Sequence, residues 1–86
     1  RRVLMDRNAK AAIANSLKEI LVDLLGVSHD RIALTSTFRE DLEADSLDLV
    51  EIIMACEDKF GLEISDKDAV MMETVGDVVE YVIKNI

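Results

Sequence analysis

The chain is predicted to be all-α: a small four-helix bundle with three longer helices, one short helix and a long loop between the first and second. Three observations predict it. Half of the 86 residues are apolar but only 3% are aromatic, with no Trp, no Pro and three Gly, which suits short packed helices of Leu, Ile, Val and Ala. Apolar positions recur at the 3.6-residue period of a helix. Capping and stop residues flank the periodic runs in the right order. The length allows one domain. A chain this small buries only about 60% of the surface it exposes when unfolded, so its core is thin.

The first helix is expected from about Asn8 to Leu25. Ile13, Leu17, Ile20, Leu21 and Leu24 share one face, and Gly26 supplies the stop. Residues 27–44 carry no clean period and are expected to form a long, partly ordered loop. Val27, Ile32, Leu34, Phe38 and Leu42 would pin it to the core. Loops this long inside a small domain are often functional. The second helix should begin at Asp45, a good N-cap, with Asp48 at the third helical position, and run to about Phe60, ending at Gly61. Ser65 with Asp68 starts a short helix through about Met72. Thr74 with Asp77 starts the last, to about Asn85, with Val75, Val78, Val79, Val82 and Ile83 inward and Gly76 weakening its start. Residues 1–7 are set apart as an expression remnant or a flexible N-terminus, and 8–86 as the domain.

Eighteen acidic residues against ten basic ones leave a net charge of −8. Residues 1–39 hold seven basic and four acidic residues, whereas 40–86 hold three basic and fourteen acidic ones. This balance speaks against nucleic acid or an anionic membrane surface as partner, since phosphate binding needs clustered Lys and Arg. It suits a basic protein partner. The single Cys56 excludes an internal disulfide and a Cys-based zinc site. The longest apolar run, Ile52 to Cys56, falls far short of the roughly 20 residues that span a bilayer, and no signal-peptide core is expected.

The second helix carries more apolar residues than one core face needs. With Leu49 at 0° and about 100° per residue, Ile52, Ile53, Cys56 and Phe60 fall within about 60° of it. Leu47, Val50 and Met54 fall at about 100–160°, and Asp48, Glu51 and Asp58 at about 180–260°. The extra stripe is either buried by a bundle that wraps this helix widely or exposed as a docking surface with an acidic rim. Spacing alone does not choose between them.

Ser46 stands at the first helical position. As a nucleophile it lacks a base: His29 is the only histidine, and no Gly-x-Ser-x-Gly turn surrounds it. As the acceptor of a phosphoryl-type group it is well placed, because free N–H groups and the helix dipole stabilise an anion there. Asp41, Glu43 and Asp45 match the first three ligand spacings of an EF-hand. Ser46 then stands where that loop needs Gly, and Ile52 where it needs Glu, so the motif fails.

The run from Glu40 to Glu51, centred on Asp45-Ser46-Leu47, resembles the attachment motif of acyl carrier proteins. The likeness continues through Ile52-Ile53-Met54-Ala55, the stretch from Glu57 to Ile64, Thr74-Val75-Gly76-Asp77 and Tyr81. It implies a right-handed four-helix bundle and a non-catalytic carrier whose 4′-phosphopantetheine arm is joined covalently to Ser46. A holo-acyl-carrier-protein synthase would transfer that arm from coenzyme A, with Asp45 assisting recognition or metal binding. Acyl chains would travel as thioesters between fatty acid synthesis enzymes. Leu47, Asp48, Val50, Glu51, Met54, Glu57 and Asp58 would meet basic patches on those enzymes. Phe38, Ile53, Ala69 and Tyr81 would line the acyl pocket. The likeness further implies a monomer in the cytoplasm, or alternatively in an organelle matrix or plastid after removal of a transit peptide. A specialised polyketide or modified-lipid carrier, an acidic helical adaptor without a prosthetic group and, more remotely, a stand-alone hydrolase are the alternatives. The chain departs from the family's usual pattern at Glu43 (commonly Gly) and Ser65 (commonly Pro). Cys56 replaces a larger apolar residue, and is expected to be a small buried hydrophobe that widens the acyl cavity. His29 is expected on the surface.

Overall fold

The computed structural model describes residues 7–86, and side chains from Ala9 onward. The expectation for the N-terminal segment falls outside that range up to Asp6, and Arg7 opens the first helix. Four helices follow in order: α1 (Arg7–Leu25), α2 (Ser46–Phe60), α3 (Asp66–Ala69) and α4 (Val75–Asn85). A single 3-10 turn, His29–Arg31, interrupts the loop between α1 and α2.

The caps set these limits. Asp45 accepts the Asp48 N–H, and Asp48 returns the bond to the Asp45 N–H, a reciprocal capping box. Thr74 and Asp77 repeat it at α4. Gly61 ends α2 at φ 66°, in the left-handed region that a residue without Cβ enters freely. α3 is shorter than its sequence pattern predicts. Its continuation tightens, with the Met71 and Met72 N–H groups donating to Asp68 and Ala69 carbonyls three residues back, and the chain then turns into the α4 cap.

α1 packs against both α4 and α2. Leu17, Leu21, Ile52, Cys56, Val75, Val78, Val79 and Val82 are buried essentially completely, and Ile13, Ile32, Phe38, Leu42 and Ile64 join them. Two expected core residues lie outside. Leu24, in the last turn of α1, edges an open cleft together with Leu25, Val27 and Leu42. Leu34 is exposed because its backbone does the pinning: its carbonyl accepts the Gly76 N–H at 2.8 Å. Val75 N–H donates to the Ser36 carbonyl and Phe38 N–H to the Glu73 carbonyl, each at 3.0 Å. The long loop is thus hydrogen-bonded, in register, to the α3–α4 junction. Among the described residues no helix is long and apolar enough to cross a membrane.

Candidate functional site

Ser46 is exposed at the start of α2. Its hydroxyl, its own N–H and that of Leu47 make no hydrogen bond among the described residues. The two carboxylates beside it are partly spoken for: Asp45 Oδ1 accepts the Asp48 N–H at 2.9 Å, and Asp48 Oδ2 the Asp45 N–H at 3.0 Å. Their negative charge faces the positive end of the helix as well as Ser46. Asp41 turns to its own loop, where its Oδ2 accepts the Thr37 N–H at 2.8 Å. Glu43, three residues before Ser46, is exposed and sits at φ 60°, a conformation that suits Gly and strains a residue with a Cβ.

The spare apolar stripe of α2 is exposed. Leu47, Val50 and Met54 keep 75%, 54% and 58% of their surface, so the bundle does not wrap this helix widely. Glu51 and Asp58 flank them in solvent. Asp48 and Glu57 are placed differently from the docking expectation. Both are half-buried, Asp48 in the cap and Glu57 against the α2–α3 loop, where its Oε2 accepts the Ile64 N–H at 2.8 Å. Beyond α3, Val70 and Met71 are exposed as fully as Leu47. The sequence holds no signal for them, because a four-residue helix is too short to show a face.

An open cleft of about 670 Å³ lies between α2, α3 and the long loop. Phe38, Ile53 and Ala69 line it, with Leu49, Val50, Ile64 and Met72. Tyr81 does not line it, a correction to the expected pocket. Its hydroxyl donates to Asp68 Oδ2 at 3.0 Å, which ties α4 to α3 and pushes the phenol pKa up from its ordinary value. Cys56 does not line it either and so does not widen it. It is fully buried, and burial, aided by the charge of Glu57, pushes its thiol up to about 12.

The family model of the phosphopantetheine attachment site matches residues 15–82. An acyl carrier protein of Clostridium perfringens is 56% identical over 68 residues, which is 79% of this chain and 90% of that protein. One of Chlamydia trachomatis is 51% identical over 71 residues, 83% of this chain and 92% of its own length. The chain belongs to the acyl carrier protein family. The solved structure of the acyl carrier protein from Enterococcus faecalis superposes with a TM-score of 0.77 at 32% identity, covering 90% of this chain and 98% of that one.

The prosthetic group of an acyl carrier protein is 4′-phosphopantetheine. The residues at the start of α2 suit such a group. A phosphodiester there gains the helix dipole and two open N–H groups, and an exposed, unpartnered hydroxyl is free to be esterified. Once attached, the arm supplies a terminal thiol on a long flexible tether.

Proposed function

We propose that Ser46 bears the phosphopantetheine arm and that the protein carries acyl chains as thioesters among the enzymes of fatty acid synthesis. The carrying observation is a serine hydroxyl that is exposed, unpartnered and at the first residue of α2, inside the region matched by the attachment-site model. In the attachment step the Ser46 oxygen bonds to the phosphorus of coenzyme A that bears pantetheine, and the bond from that phosphorus to the nucleotide breaks. The serine proton passes to the synthase, since this chain places no histidine near Ser46 in sequence. Asp45 retains one carboxylate oxygen outside the capping box for recognition or for a cation brought by the synthase.

The docking ridge in this proposal is Leu47, Val50, Glu51, Met54 and Asp58, all exposed on one side of α2. An apolar centre with an acidic rim matches the make-up of transient interfaces, and it fits enzymes that present basic patches. The carried chain would lie in the cleft beside Phe38, Ile53 and Ala69. The proposal takes the protein as a cytoplasmic monomer.

The test is to incubate the protein with coenzyme A and a holo-synthase and to weigh it intact. Wild type is expected to gain one phosphopantetheine and Ser46→Ala none. A wild type that gains nothing, or an alanine variant that still gains mass, overturns the assignment. The acyl group found on protein from its native source separates fatty acid synthesis from a specialised pathway.

A further inference from the structure

Glu57 sits at the edge of the docking ridge, yet its carboxylate points into the fold. Oε2 accepts the Ile64 N–H at 2.8 Å, across seven residues and in a partly buried setting. Ile64 is itself buried, 6% exposed, and both residues line the cleft between α2 and α3. The loop that holds Ile64 leads into a helix of only four residues, and α3 packs less extensively on its neighbours than α1 does. Side chains of α2 and α4 hold this wall: Glu57 bonds the Ile64 N–H at the entry of α3, and the Tyr81 hydroxyl reaches Asp68 Oδ2 at 3.0 Å and, at a longer 3.5 Å, the Glu63 carbonyl. A carboxylate accepting from an amide makes one of the stronger hydrogen bonds, and a buried N–H that loses its acceptor is left with the cost of its desolvation.

We propose that Glu57 is a positioning residue for the carried chain: through the Ile64 N–H it fixes one wall of the cleft and sets how well a chain is shielded there. This rests on the carrier reading above. It separates Glu57 from the docking carboxylates Glu51 and Asp58, whose role needs charge in solvent. A positioning role needs an acceptor oxygen at the right reach. Glu57→Gln keeps that oxygen and loses the charge. Glu57→Asp keeps the charge and loses the reach.

The experiment loads wild type, Glu57→Gln, Glu57→Asp and Glu57→Ala with octanoyl- or acetyl-phosphopantetheine, using the acyl-coenzyme A and a holo-synthase. Each thioester is then cleaved with hydroxylamine and followed by intact mass. Circular dichroism confirms that each variant is folded. In wild type and Glu57→Gln the octanoyl form is expected to cleave several-fold more slowly than the acetyl form. In Glu57→Asp and Glu57→Ala that protection is lost, and the Ile64 amide of the unloaded protein exchanges its proton several-fold faster. Should Glu57→Ala misfold, Glu57→Asp against Glu57→Gln decides. Loaded variants that all protect the octanoyl form equally overturn the proposal, as does protection that follows charge, kept in Asp and lost in Gln. A wild type that takes up no acyl group at all overturns the carrier reading, and this one with it.

Discussion

Ser46 spends nothing of its hydroxyl on the fold, because no described group bonds to it. Ser46→Ala should therefore abolish attachment while shifting stability by less than about 0.5 kcal/mol, as surface substitutions do. Urea unfolding of both proteins checks the second half. Glu43 behaves in the opposite sense. Its left-handed backbone costs a residue with a Cβ about 1–2 kcal/mol, and glycine's extra freedom in the unfolded chain returns roughly 0.5–1 kcal/mol of that. Glu43→Gly should raise stability by about 0.5–1 kcal/mol, a melting shift of a few degrees upward for a domain of this size. Calorimetry that shows a drop would mean the carboxylate has a stabilising partner. Cys56 makes a pH prediction. Its thiol rises from an ordinary value of 9.0 to about 12 in the fold, so folding favours the protonated form. Its contribution is complete below pH 9 and is lost as pH climbs toward 12. Native protein at pH 8 should resist thiol reagents and react promptly once unfolded in denaturant, as a colorimetric thiol assay would show.

Each helix tests its own cap and its own close approach. Thr74→Ala removes the oxygen that accepts the Asp77 N–H and should cost about 1 kcal/mol, read from urea midpoints. Gly76→Ala should cost more than its helical position alone implies. An added Cβ would stand 2.9 Å from the Leu34 carbonyl oxygen, a backbone atom already held by the Gly76 N–H. Relief requires parting the loop from α4. These contrasts also show what the sequence could reveal. α2 was legible because a cap, a period and a glycine stop mark it, and rotation by about 100° per residue separated the buried stripe from the exposed one. α3 was legible at its start, where Ser65 caps it through the Asp68 N–H, but not in its length or its exposed face, since four residues hold one turn and no repeat. Leu34 looked like a side-chain anchor because the bond that matters there belongs to the backbone, which leaves no residue pattern. Asp48 and Glu57 were placed correctly on their helix. Which of them a cap or a loop would claim depends on elements the wheel does not contain.

Across the whole molecule the unbalanced charge should show in stability. Net charge is −8, the acidic excess falls in the second half, and among the described residues the one ion pair is Lys10 with Glu80, exposed at 3.3 Å. The carboxylates of α2 and its approaches therefore repel with few cations to offset them, a cost that a thin core leaves little room to absorb. Screening should relieve it. The Debye length falls from about 30 Å at 0.01 M salt to about 3 Å at 1 M, shorter than the span of the acidic face. The melting temperature at pH 7 should rise steeply through the first few hundred millimolar NaCl. Salt can also strengthen apolar burial, so the decisive comparison is pH 4.4, where the net charge is close to zero. If repulsion is the cause, the salt dependence largely disappears there. A slope of equal size at both pH values would assign the effect to the core and leave the acidic ridge energetically silent in the free protein.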